Sequence, residues 1–126
     1  MNEDRVNYIA RRIGKIPNIT RNLNEITMSE VFAEIFKEEL RYDTSDGAFY
    51  YYDGEHWVED YRRIHVQIMA KDFVKALFVY ADTITLNTLR DKFRIFCKRY
   101  YHKLNRDTLI SDAKTELTEW EESNNE

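Results

Sequence analysis

The chain has 126 residues, of which 43% are apolar, 14% aromatic and 33% charged, a balance that excludes disorder by composition and predicts one folded, soluble domain with a real core. Its net charge of −4 opposes any general attraction to nucleic acid, and its single cysteine, Cys97, cannot form an internal disulfide. Charges interrupt every apolar run before the roughly 20 residues of a membrane span, and "MNEDRVNYIARRIG" lacks a secretory-type apolar stretch, so no membrane insertion and a cytoplasmic location are expected.

In chain order, Val6, Ile9, Ala10 and Ile13 have helical spacing, which Gly14 ends and Pro17 keeps from resuming. The Asn-rich "KIPNITRNLNE" reads as a linker or as an arm that packs through Ile16, Ile19 and Leu23. "TMSE" has a capping-box pattern in which Thr27 and Glu30 satisfy each other's backbone amides. A helix is therefore expected from Thr27 to about Tyr42, with Val31, Phe32, Ile35, Phe36 and Leu40 on its apolar stripe.

"DTSDG" breaks that helix. "AFYYYDGEHWVED" then puts six aromatic or imidazole rings into thirteen positions around Asp53-Gly54, a dipeptide suited to a two-residue type I′ turn. In that register Tyr52 faces Glu55, Tyr50 faces Trp57 and Phe49 faces Val58. One hairpin face carries Tyr50, Tyr52 and Trp57; the other carries Phe49, Tyr51, His56 and Val58. One of these faces should dock on helices, because a lone hairpin is marginal.

Residues 62–81 form the next helix, with Ile64, Ile68, Met69, Phe73, Leu77 and Tyr80 on one stripe that Val66, Val74, Phe78 and Val79 widen. Residues 86–104 place Leu89, Phe93, Phe96, Cys97, Tyr100 and Leu104 at helical spacing. Asn105 is a suitable N-cap for a last helix holding Leu109, Ile110, Ala113 and Leu117. The expected fold is a predominantly helical α+β domain with one β-hairpin at about residues 48–59. It divides into an N-terminal helix and arm (1–24), the main domain (25–120) and a frayed acidic tail (121–126).

Recognisable catalytic chemistry is missing from this pattern. Gly14, Gly47 and Gly54 cannot assemble a phosphate loop or a dinucleotide fingerprint, so no nucleotide hydrolysis is expected. His56, His65, His102 and Cys97 share no zinc-type spacing, and no metal or cofactor is expected. "DTSDG" lacks the alternating ligands of a calcium loop and reads as a turn.

Two surfaces draw attention instead. Residues 92–106 contain Lys92, Arg94, Lys98, Arg99, Lys103 and Arg106 with no acid, whereas residues 107–126 hold seven acids against Lys114. Along the helix expected there, Arg94, Lys98 and His102 form one row with Arg99 and Lys103 beside it, a strip able to neutralise several phosphates. The competing reading is a solvated face balanced by the acidic last helix. The second surface is the outer hairpin face, where Tyr50, Tyr52 or Trp57 could stack on a base or meet a partner. Packing into the domain competes there, because rings usually go inside.

The stretches "MSEVFAEIFKEELRYDTSDGAFYYYDGEHWVED", "IHVQIMAKDFVKALFVYA" and "FRIFCKRYYHKLNRDTLISDAKTEL", in this order over about residues 28–117, resemble the N-terminal domain that precedes the superfamily-3 helicase core in phage and plasmid primase-helicases. Poxvirus primase-helicases carry a related domain. The resemblance implies a non-enzymatic accessory domain of DNA replication in a bacterial host cell. It would act through contacts with helicase or replication proteins and through weak non-specific DNA binding. It supplies no catalytic residues. A family member would continue into an ATPase; a free-standing phage or mobile-element protein that binds and inhibits a host or phage protein, such as a defence-system component, is the alternative expectation.

Overall fold

In the computed structural model, residues 2–124 are described, with side chains from 4 to 118. The first helix, α1 (Asn2–Ile13), buries Val6, Ile9, Ala10 and Ile13 against the later central helix, as their spacing predicts. The arm after it packs rather than dangles: Ile19 is buried, and Ile16 and Leu23 lie against the core.

Helix α2 (Glu25–Phe36) begins earlier and ends earlier than expected. Its cap is Asn24, whose Oδ1 accepts from the Thr27 amide at 2.8 Å, so Thr27 lies inside the helix and forms no capping box. The earlier start lets Met28 join Val31, Phe32, Ile35 and Phe36 on the buried face. Beyond Phe36 the chain leaves the helix, and Leu40–Asp43 forms a strand, β1, in place of the expected helical turn. Leu40 is fully buried either way; its apolar character alone does not separate the two conformations. Pairing decides it, because β1 satisfies one backbone edge of β2 (Ala48–Tyr52) while β3 (Trp57–Glu59) satisfies the other.

The sheet is antiparallel in the order β1-β2-β3. Its hairpin register differs from the two-residue turn expected: Tyr52 pairs with Trp57, Tyr51 with Val58 and Tyr50 with Glu59. The cause is the Asp53 carboxylate, whose Oδ1 accepts from the amides of Glu55 and His56, both at 2.8 Å. Asp53 therefore opens a four-residue loop, with Gly54 at φ 108°, and leaves His56 in the loop. The shift moves partners by two positions and keeps the faces. Leu40, Tyr42, Phe49, Tyr51 and Val58 share one face; Arg41, Tyr50, Tyr52 and Trp57 share the other. The first face meets the helices, since Leu40 and Phe49 are buried and Tyr42 and Tyr51 lie on the core.

A 3₁₀ turn, Tyr61–Arg63, leads into the central helix α3 (Ile64–Ala81). Arg62 and Arg63 both have left-handed φ, 57° and 58°, a costly pair for non-glycine residues. Asp60 holds them there: its backbone oxygen accepts from the Arg63 amide, and its two carboxylate oxygens accept from His65 and Val66 at 2.8 Å. Asp60 thus caps α3 from three residues before Arg63.

The buried face of α3 comprises Val66, Met69, Ala70, Phe73, Val74, Ala76, Leu77 and Ala81, and Phe32, Phe36 and Phe73 form a ring cluster at its middle. This rotates the expected stripe. Ile64 and Ile68 are about half exposed, and Val79 is also exposed. Asp72 occupies the buried side because Arg5 of α1 lies 3.7 Å from it.

The single helix expected over 86–104 is divided. Helix α4 (Asn87–Cys97) passes into a 3₁₀ turn (Lys98–Tyr101), His102 is extended, and α5 (Lys103–Asn124) departs in a new direction. Side chains of α5 stabilise the corner by taking up carbonyls of the ending turn: Asn105 Nδ2 donates to Arg99, and Arg106 Nη1 donates to both Tyr100 and Tyr101. Asn105 therefore caps the preceding turn instead of starting α5, and Leu104, 76% exposed, leaves the apolar stripe. After the corner, Leu109, Ile110, Ala113 and Leu117 pack α5 on α2 and β1. The expected fraying of 121–126 lies outside the described side chains. Among the described residues, five α-helices and the small sheet form one compact α+β domain.

Candidate nucleic-acid interface

The division at His102 dismantles the continuous basic row. Arg94 is on α4, Lys98 and Arg99 are on the 3₁₀ turn, His102 is in the link, and Lys103 begins α5. Three of the five are occupied by carboxylates: Arg94 pairs with Asp82, Arg99 with Glu25 at 3.1 Å, and Lys103 with Asp107 at 2.7 Å. The Arg99 guanidinium also lies 4.0 Å from the centroid of the Phe96 ring. Lys98 and His102 are exposed and have no acid partner among the described residues.

A second set of cations gathers nearby, and only the fold brings it together. Lys71 and Lys75 project from α3 one turn apart, and Arg106 of α5 faces them across a groove of about 420 Å³. Val74, Phe78, Tyr100 and Tyr101 supply its apolar wall. Phe78 and Tyr101 stack with centroids 5.1 Å apart and planes 9° from parallel, and Tyr101 is 61% exposed. Residues 61–81 contain one acid, Asp72, and it is turned inward, so the exposed side of α3 carries no carboxylate. The signal was present in "IHVQIMAKDFVKALFVYA" as a lysine pair at i, i+4. It could not be used without knowing which side of α3 faces out.

On the outer sheet face, the Arg41 guanidinium sits 4.4 Å from the Trp57 centroid and 6.0 Å from that of Tyr50, and Tyr52 approaches Trp57 at 5.4 Å. The Tyr50 hydroxyl donates to Asp46, and this bond to the neutral phenol pushes its pKa up to about 12. Tyr50 and Trp57 are half-buried and Tyr52 is 43% exposed. The docking rings are Phe49 and Tyr51, the latter stacked on His65 at 3.6 Å.

Cys97 is buried among apolar neighbours, and desolvation pushes its thiol up to about 12, the opposite of an activated nucleophile. No group of three or more His, Cys, Asp or Glu gathers for a metal among the described residues, and no described helix is long and apolar enough to cross a membrane.

Residues 29–125 match the family model described as D5 N terminal like. The chain belongs to the D5 N-terminal-like family. This is the N-terminal domain of phage and viral primase-helicase proteins, and the matched residues take in α2 from Ser29 onward, the sheet, and α3 to α5. No curated protein and no solved structure matches the chain. For a D5 N-terminal-like domain, the geometry offers two surfaces: an aromatic sheet face and, around α3 and the α4–α5 corner, cations such as Lys71, Lys75 and Lys98 that have no carboxylate partner among the described residues.

Proposed function

We propose that this D5 N-terminal-like domain is a non-enzymatic accessory module of a phage-type primase-helicase, acting by protein contact and by weak, sequence-independent contact with DNA. The observation that carries the reading is the family match, which spans the packed unit from α2 to α5. The chemistry of the surface supports it. Trp, Tyr and Arg are the residues that most often anchor protein interfaces, and Arg41, Tyr50, Tyr52 and Trp57 combine them on one sheet face. Lys71, Lys75 and Lys98, which have no carboxylate partner among the described residues, suit phosphate contact despite the net charge of −4.

Size-exclusion chromatography of the chain mixed with the ATPase core of a primase-helicase from the same genome tests the protein contact. Wild type should co-elute with the core, whereas Tyr52→Glu, on an exposed ring, should elute alone while keeping its thermal transition. Separate elution of wild type would contradict assembly with a helicase core and point to a different protein target.

A further inference from the structure

The D5 N-terminal-like match covers α3 and α5 as sequence, but it does not identify which face meets DNA. We propose that the groove between α3 and the start of α5 binds single-stranded DNA, with Lys71, Lys75 and Arg106 against phosphates and an unpaired base extending the Phe78–Tyr101 stack. This rests on the DNA-contact part of the proposed function.

Charge complementarity selects the occupant. The chain is acidic overall, yet the exposed side of α3 has no carboxylate, and neither Lys71 nor Lys75 is paired with one among the described residues. Arg106 is held in place by donating through Nη1 to the carbonyls of Tyr100 and Tyr101. Its remaining guanidinium nitrogens make no hydrogen bond with a described residue, which leaves donors for a phosphate oxygen. Lys103, by contrast, is engaged with Asp107 at the groove's edge.

The ring pair selects single-stranded over duplex DNA. Tyr101 is oriented by its parallel contact with Phe78, and its 61% exposure leaves room for a planar group to continue the stack. A base in a duplex has both faces occupied; an unpaired base does not. The apolar wall of Val74, Phe78 and Tyr100 matches the low polarity of a base face, with the lysines one helical turn apart along the rim.

Fluorescence anisotropy with labelled oligothymidylate of about 12 nucleotides tests this, using wild type, Lys71→Glu/Lys75→Glu, Tyr101→Ala and Lys15→Glu. All altered residues are exposed, so circular dichroism melts should coincide. The double variant should bind at least about tenfold more weakly, and Tyr101→Ala about tenfold more weakly. Lys15→Glu, an exposed charge reversal outside the groove, should stay near wild type. With three phosphates engaged, log K against log salt should fall with a slope of about −2, and the double variant should flatten it. Duplex of the same length should bind more weakly and ignore Tyr101→Ala.

Wild-type binding that survives both groove variants would place DNA elsewhere and overturn the groove while leaving DNA contact intact. Absence of wild-type binding to either DNA form would remove the DNA contact itself. An acidic, tyrosine-containing peptide that outcompetes oligothymidylate and loses affinity in the same variants would make the groove a protein-binding site instead.

Discussion

Asp60 shows how one side chain can hold a costly backbone in place. Its 5% exposure and two bonds to the amides of His65 and Val66 offset the left-handed Arg62 and Arg63 at the entry to α3. Asp60→Ala should therefore destabilise the domain by about 1–2 kcal/mol in chemical denaturation, with Asp60→Asn recovering part of the loss. Asp53 is the exposed counterpart. The amides of His56 and then Glu55 hold its carboxyl below the ordinary value of 3.8. A depressed folded pKa gives stabilisation that is complete above the unfolded value and is lost as pH falls through the folded one. Asp53→Ala should melt below wild type near neutral pH, and the gap should close on acidification; a constant gap would mean that the charge of Asp53 is irrelevant to the turn. Cys97, with its thiol pushed up by burial, should resist a thiol reagent in the native state and react at once when the chain is denatured.

The sheet and the α4–α5 corner are where local pattern and long-range packing part. Helix α1 was legible because its apolar positions have one helical spacing and Gly14 follows directly. The hairpin faces were legible because alternation survives a two-position slip. The register was not, since Asp53 can serve either inside a two-residue turn or as the side-chain acceptor of a longer one. Leu40 satisfied a helical stripe and a strand equally well, and only the bare edge of β2, invisible in local sequence, decides between them. The single helix expected over 86–104 was not legible for a related reason: it ends where Asn105 and Arg106 take up carbonyls of residues 99–101, and those partners are distinguished by geometry alone. Lys71 and Lys75 were missed because Ile64 and Ile68 look like core and are exposed. The corrected faces make a direct stability prediction. Phe49→Ala, at a position 1% exposed on the docking face, should cost about 3–5 kcal/mol, and Trp57→Ala on the outer face should cost less. Equal losses in denaturant unfolding would mean that the outer rings hold the fold as firmly as the inner ones.

At the scale of the whole molecule, a net charge of −4 coexists with an acid-free helix face because the carboxylates are spent elsewhere: Glu25, Asp82 and Asp107 neutralise Arg99, Arg94 and Lys103, and Asp72 turns inward to Arg5. The groove is lined by three cations, Lys71, Lys75 and Arg106, so binding should be weak and strongly dependent on salt. Nucleotide hydrolysis should stay at the buffer level with and without DNA, and turnover that survives repurification would contradict an accessory role. The most direct measurement is titration of labelled single-stranded DNA with the wild-type chain at about 50 mM and about 200 mM salt. Non-specific phosphate contact predicts a Kd of about 10⁻⁴ to 10⁻⁶ M at the lower salt and a marked weakening at the higher. No binding at the lower salt, or an affinity that salt leaves unchanged, would contradict it.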